Sequence, residues 1–129
     1  MNFELSEATA VGVAGVRHQF PGHTVTVTPD GDGGGFVVVD DVPVGAPFVE
    51  DVTWLGFHIN SAYPASDVYP HYVGRLRRRD GHSHGEAIQE VSWRDRPALQ
   101  LSRRSSQWSA SVDTAALKAM KVMAWLRCQ

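Results

Sequence analysis

Cysteine is almost absent from this chain of 129 residues, and the single thiol, Cys128, lies one residue from the end. One cysteine excludes an intramolecular disulfide and an all-cysteine zinc site, and it favours a reducing compartment. No apolar run approaches the roughly 20 residues needed to cross a bilayer. The first residues are acidic where a secretory signal would be basic, so the sequence predicts a cytoplasmic protein with no membrane association.

Several catalytic and metal-binding motifs are also missing. There is no HExxH or CxxC frame. The glycine-rich segment 31–35 lacks the GK[ST] ending of a phosphate loop and stands between two predicted strands, which favours a hairpin connection. His82 and His84, with Glu86 as a third ligand, resemble a metal group, but a solvated loop is the preferred interpretation. We therefore predict no metal and no cofactor.

The composition is that of an ordinary globular protein, with 43% hydrophobic and 20% charged residues. This length is enough for one core, so residues 1–129 are predicted to form a single domain. Acidic residues dominate the segment 1–70 and basic residues dominate 71–129, although the net charge is only −2. The split predicts either a basic binding face or attraction between the two halves across one sheet.

The strands are predicted from alternation with a period of two residues. Segments 23–28, 36–39 and 52–59 alternate or are rich in β-branched residues, with turn signals between them. Segment 87–93 is a candidate further strand, and 98–101 is another short extended piece. We predict a four-stranded antiparallel meander. On the third strand one face carries Leu55, Phe57 and Ile59, and the other carries Trp54, Gly56 and His58.

A helix is predicted at each end of the chain. Segment 5–16 has helical spacing weakened by glycines. The stronger helix begins with Asp113 as the predicted N-cap. Its apolar stripe is predicted to meet the third strand in the core, with the lysines on the solvent side. The stripe consists of Leu117, Met120 and Ala124, and the solvent-facing lysines are Lys118 and Lys121.

The order of several short motifs carries a resemblance. The third strand runs into Tyr63-Pro64, Val42-Pro43 precedes it, segment 101–104 reads LSRR, and segment 107–109 reads QWS before the last helix. Over roughly residues 3–127 the chain resembles ubiquitin-conjugating enzymes and their non-catalytic RWD relatives, and is most similar to the prokaryotic ubiquitin-conjugating-like proteins called family E. The resemblance implies an α+β fold in which helices pack against an antiparallel meander.

The chain departs from that family where the chemistry would occur. The resemblance places the thioester cysteine near Gln100, where no thiol is present, and an HPN-like tripeptide is missing upstream. Thioester transfer requires a thiolate, which glutamine cannot replace. Cys128, at the end of a helix, has no built-in base. We therefore expect a non-catalytic binding or scaffold component of a bacterial ubiquitin-like modification system.

Two alternatives to this function remain open. One is an active conjugating enzyme that uses an atypical residue such as Cys128, and the other is an RWD-type adaptor unrelated to ubiquitin-like proteins. By resemblance, the partners of the scaffold would be a ubiquitin-like protein, an activating enzyme or an isopeptidase.

Partner binding is predicted to involve exposed aromatic residues and the basic segment. Trp54 is predicted to lie either on an open sheet face or under the C-terminal segment. A sequence pI near 6.3 argues against nucleic acid as the partner, because phosphate binding relies on excess positive charge. The predicted partner-binding residues are Trp54, His58, Tyr63, Tyr69, Arg75, Arg77, Arg78 and Arg79.

Overall fold

A computed structural model describes residues 4–129 and contains two helices and six strands. The six strands form one antiparallel sheet in the order β1-β2-β3-β4-β6-β5. The α+β class and the antiparallel pairing are thus confirmed, whereas the prediction of four strands is wrong. The elements are α1 (Glu7–Gln19), β1 (Val25–Pro29), β2 (Gly35–Pro43), β3 (Val52–Ile59), β4 (His71–Val73), β5 (Ile88–Trp93), β6 (Arg96–Leu101) and α2 (Ala115–Leu126).

The first three strands form the predicted meander, with one difference at β2. The glycine-rich segment 31–35 joins β1 to β2, as predicted. The predicted segment 36–39 ends before the acidic pair Asp40-Asp41, but β2 continues to Pro43 through a bulge between Val39 and Val42. Asp41 adopts a φ of 59°, a conformation that aspartate tolerates better than most residues. The bulge therefore lets β2 continue past a pair of residues that looks like a strand end.

The strands β5 and β6 form a hairpin that extends the sheet. They correspond to the candidate segments 87–93 and 98–101, whereas β4 was not predicted. Arg94 and Asp95 are its two turn residues and have φ values of 48° and 64°. Positive φ at both positions is typical of two-residue hairpin turns, whose twist matches that of the strands. The strand β6 pairs with β4, and β5 becomes the edge of the sheet. The turn thus brings Trp93 and Arg96 opposite each other.

The hydrophobic core lies between one face of the sheet and the two helices. Leu55, Phe57 and Ile59 are fully buried, which confirms the predicted inner face of β3. They belong to one cluster with residues of both helices, among them Val16 and Met123. All the elements therefore share a single core.

The C-terminal helix begins one residue later than predicted. The N-cap is Thr114, whose hydroxyl accepts a hydrogen bond from the backbone N–H of Leu117 at 3.1 Å. The carboxylate of Asp113 instead accepts the N–H of Ser109 at 2.7 Å and closes the preceding turn. Both residue types cap helices well, so the sequence alone did not distinguish the two positions.

The buried face of α2 also differs from the prediction. Leu117 and Met120 are 40% and 38% exposed and Ala124 is exposed, so the predicted stripe lies on the solvent side. Lys118, predicted to face solvent, is 5% exposed. Because the helix is apolar on most of its circumference, the spacing of its apolar residues does not identify the face that is buried. The buried residues are Ala115, Ala116, Lys118, Ala119, Val122, Met123 and Leu126.

The prediction of no membrane association can be compared only with the length and the apolar character of the helices. Among residues 4–129 no helix is both long enough and apolar enough to cross a bilayer. The cytoplasmic location stays a prediction.

Candidate protein-binding surface

The sheet face opposite the helices carries a group of aromatic side chains. Strand register places them on one face, because Phe36 lies opposite His58 and Tyr72 lies opposite Gly56. All of them are partly exposed. We call this group the aromatic surface, and it consists of Phe36, Trp54, His58, Tyr72 and Trp93.

Trp93 is the centre of the aromatic surface. Its ring stacks on Tyr72, with centroids 4.8 Å apart and planes at 13°, and on Trp54 at 5.8 Å and 14°. Gly56 lies beneath it: a Cβ at this position would be 2.8 Å from Trp93 Cη2 and closer still to Cζ3. The missing side chain of Gly56 therefore provides the space that Trp93 occupies, and the stacked rings limit the motion of its indole.

His58 and Phe36 extend the surface towards the β1–β2 turn. Their rings stack with centroids 4.4 Å apart. His58 Nε2 lies 2.7 Å from Asp30 Oδ2, and the other carboxylate oxygen accepts the N–H of Asp32 and of Gly34. Burial alone would raise the pKa of Asp30, but these hydrogen bonds outweigh it and lower the pKa. Asp30 thus remains ionised and fixes both the turn and the His58 ring.

Two arginines border the aromatic surface. The guanidinium carbon of Arg94 lies 3.9 Å from the centroid of Phe36, and that of Arg96 lies 4.7 Å from Trp54. Neither forms an ion pair with any residue in 4–129. Aromatic residues and arginine are the types enriched where proteins bind each other. The arrangement is an aromatic centre with an unneutralised cationic border.

The predicted aromatic site residues separate into two groups. Trp54 and His58 belong to the aromatic surface, and neither helix covers Trp54. Tyr63 is buried, and its hydroxyl accepts the N–H of Ala115 at 3.1 Å. Tyr63 therefore links the loop after β3 to α2, and its contact with a partner stays a prediction.

Tyr69 is half-buried, and no ring contact joins it to the aromatic surface in the part of the chain that the structure describes. The guanidinium of Arg104 is 4.4 Å from its ring centroid. Hydrogen bonds from Ser102 and Arg104 lower the pKa of Tyr69. The tyrosine ring therefore orients the guanidinium of Arg104 by stacking.

The basic segment after β4 is only partly available to a partner. Arg75 donates to the carbonyl oxygens of Val91 at 2.9 Å and Ala98 at 3.4 Å, and lies 3.6 Å from Glu90. It thereby joins the segment after β4 to the hairpin. Arg79 is exposed.

The other two arginines of this segment hold loops together. Arg77 pairs with Glu50 at 2.8 Å, and hydrogen bonds from Arg77 outweigh burial to lower the pKa of Glu50. Arg78 pairs with Asp80 at 2.8 Å and donates to the carbonyl oxygen of Gln129. The Arg77 pair joins the acidic and basic halves of the chain, as one of the two charge hypotheses predicted.

A second interaction between the halves is a buried ion pair. Lys118 Nζ lies 3.0 Å from both carboxylate oxygens of Asp67 and 2.7 Å from Ser105 Oγ. Burial alone would raise the pKa of Asp67, but hydrogen bonds from Ser105 and Lys118 outweigh it and lower the pKa. Lys118 Nζ donates to Ser105 Oγ, and the Ser105 hydroxyl donates to Asp67 Oδ1 at 3.1 Å, so the serine is held inside the ion pair. The cluster is structural: it ties the loops before β4 and after β6 to α2.

Neither candidate nucleophilic position has catalytic surroundings. Gln100 lies on β6 opposite Tyr72, and its amide donates to Ser102 Oγ at 3.3 Å. Cys128 is a free, exposed cysteine after the end of α2. No carboxylate or imidazole contact to that sulfur occurs among the described residues. The two positions belong to different elements and share no contact in this part of the chain.

The histidine pair does not assemble a metal site in the part of the chain that the structure describes. His84 Nε2 lies 2.9 Å from the carbonyl oxygen of Leu76, and its ring packs near Phe48. His82 is exposed. Within residues 4–129 no group of three His, Cys, Asp or Glu side chains is placed to hold a metal ion.

Of the aromatic surface, the sequence interpretation assigned only Trp54 and His58 to partner binding. Tyr72 was left out because β4 is three residues long and too short to show alternation. One usable signal was the sequence WRDR at 93–96, in which two polar residues separate an aromatic residue from an arginine. The missed members and neighbours are Phe36, Tyr72, Trp93, Arg94 and Arg96.

Comparisons of the chain with protein-family models, with curated proteins and with solved structures found no match.

Proposed function

We propose that this chain is a non-catalytic, ubiquitin-conjugating-like domain that binds a protein partner through the aromatic surface. The partner would be a ubiquitin-like protein, an activating enzyme or an isopeptidase of a bacterial ubiquitin-like modification system. The observation that carries the proposal is the stacked Trp93 with its flanking Trp54 and Tyr72 on the sheet face that the helices leave uncovered.

The aromatic surface has the physical properties of an interface centre. Binding energy concentrates in a few tryptophan, tyrosine and arginine side chains that are fully desolvated in the complex. Trp93 is already ordered by its two stacking partners, so binding would cost little additional side-chain entropy. Arg94 and Arg96, which lack ion pairs among residues 4–129, would favour a partner with acidic residues around an apolar centre.

The chemistry of the chain supports binding rather than conjugation. The segment around Gln100 contains no thiol, and the backbone there is engaged in pairing with β4. The lone thiol, Cys128, is exposed and has no neighbouring base in the described residues.

Binding is tested by titrating the labelled protein with each purified partner. We expect Trp93→Ala to weaken the binding of one of the three partners at least about tenfold, as for other central tryptophans. Trp108→Ala is the matched control, because Trp108 lies on the loop before α2 and donates to the carbonyl oxygen of Pro64. Equal effects of the two substitutions, or no binding of any of the three partners by the folded protein, would refute the proposal.

Conjugation is tested separately with the cognate activating enzyme, ATP and modifier. We expect no reductant-sensitive adduct, and identical results for the wild type and Cys128→Ser. An adduct that disappears with Cys128→Ser would establish the alternative, an active enzyme with an atypical nucleophile.

A further inference from the structure

A second concave site lies away from the aromatic surface, between the segment that follows β6 and the exposed side of α2. Its volume is about 240 Å³. This is below the roughly 300–1,000 Å³ typical of pockets for drug-sized ligands, so the site suits a small molecule or a small group. The side chains that matter for its chemistry are Arg103, Arg104, Ser105, Lys118, Lys121 and Trp125.

Two arginines give this cavity uncompensated positive charge. The guanidinium carbon of Arg103 lies 5.0 Å from the ring centroid of Trp125, and that of Arg104 lies 4.4 Å from Tyr69. Neither forms an ion pair within residues 4–129, in contrast to Arg77 with its carboxylate partner. Stacking on aromatic rings orients the guanidinium groups and leaves their N–H groups free of carboxylates.

The carboxylates close to the cavity are already neutralised. Asp67 is held by Lys118 through both oxygens. Asp113 lines the cavity, lies 3.7 Å from Lys121 Nζ and accepts the N–H of Ser109. Each lysine therefore has its own carboxylate partner, and the arginines supply an excess of two positive charges.

We propose that this cavity binds a small ligand through a phosphate group, with Arg103 and Arg104 donating hydrogen bonds to the phosphate oxygens. A phosphate dianion matches the excess of two positive charges, and the planar guanidinium presents paired N–H groups to such oxygens. The assignment is independent of protein binding through the aromatic surface.

Pyrophosphate is the probe for the first experiment, because it is small and carries no other recognition group. It is titrated into ¹⁵N-labelled protein at low ionic strength, with the indole N–H signals recorded by NMR. We expect a saturable shift of the Trp125 indole signal. Arg103→Gln/Arg104→Gln should weaken binding at least about tenfold, since each charge-assisted hydrogen bond contributes substantially to affinity.

A matched control removes the same charge elsewhere. Arg94→Gln/Arg96→Gln also deletes two exposed arginines that stack on aromatic rings, and we expect it to change the affinity for pyrophosphate less than twofold. Equal weakening by the two double substitutions would mean that only the overall charge attracts the anion, and would overturn the proposal. Linear, unsaturable shifts in the wild type would overturn it as well.

The source of the phosphate group is resolved by two further titrations, with inorganic phosphate and with ATP. If ATP binds more tightly than pyrophosphate and loses that advantage in Arg103→Gln/Arg104→Gln, the ligand is a nucleotide. If pyrophosphate binds as tightly as ATP, the site recognises the phosphate groups alone. If none of the three anions binds saturably, the proposal fails, whatever the outcome at Trp93.

Discussion

His71, the first residue of β4, is expected to make this protein sensitive to acid. The ring is fully buried and lies 5.2 Å from the ring of Phe57. Among the described residues no group forms a hydrogen bond with either ring nitrogen. Burial lowers the pKa of His71 from 6.5 to about 3, with a further contribution from the positive charge of Lys118, while Asp67 acts in the opposite direction.

The lowered pKa converts directly into a dependence of stability on pH. In the unfolded chain His71 takes up a proton near pH 6.5, whereas in the folded protein it does so only near pH 3. Between these values the unfolded state binds more protons, so stability falls as the pH falls. At about 1.36 kcal/mol per pH unit, His71 alone removes about 2.5 kcal/mol of unfolding free energy between pH 7 and pH 4.5.

The assay is urea denaturation followed by circular dichroism at both pH values. His71→Leu replaces the imidazole with an apolar side chain that does not titrate, and it removes two unpaired buried nitrogens. We expect the loss of stability from pH 7 to pH 4.5 to be smaller by about 2.5 kcal/mol in this variant than in the wild type. His82→Leu, at an exposed histidine, is the control and should keep the dependence of the wild type.

A single outcome would refute the reasoning about His71. If His71→Leu and the wild type lose the same stability between the two pH values, the folded protein accepts a proton on His71 as readily as the unfolded chain does. The imidazole would then be solvated or paired, contrary to its burial beside Phe57.

The remaining predictions concern the core and are measured as unfolding free energies by urea denaturation at pH 7. Lys118→Met should cost about 3 kcal/mol because it leaves Asp67 without its ammonium partner in a largely buried site. Lys121→Met, at a lysine that is 72% exposed, should change stability by less than about 0.5 kcal/mol, and equal costs would disprove the role of the buried pair. Phe57→Ala should cost about 3–5 kcal/mol. Leu117→Ala should cost less than about 1 kcal/mol, and a larger loss would mean that Leu117 belongs to the core after all.

The fold class and much of the core were predictable from local pattern. Strict alternation on β3 defines which side chains share a face, because successive residues of a strand point in opposite directions. That pattern placed Leu55, Phe57 and Ile59 together and Trp54 with His58, as found. The approximate positions of both helices were predictable from helical spacing and, for α2, from a capping residue type near its start.

The buried face of α2 and the burial of Lys118 were not predictable from the sequence. A helix that is apolar on most sides has several equivalent orientations, and its neighbours select one of them. Lys118 is buried only because Asp67, 51 residues earlier in the chain, meets it. No local sequence pattern indicates an ion-pair partner that is distant in the chain.

For the two candidate sites, too, some features follow from the sequence alone and others only from the tertiary structure. The sequence by itself placed Trp54 on the strand face opposite Leu55 and Phe57 and showed that no thiol lies near Gln100, since both facts depend only on residue type and strand period. Tertiary structure alone joined Trp54 to Tyr72 and Trp93, because their stacking requires three separate strands in one register with a glycine between them. The cavity lined by Arg103 and Arg104 likewise forms only where the segment after β6 meets α2, because packing brings together charged residues that are distant in the sequence.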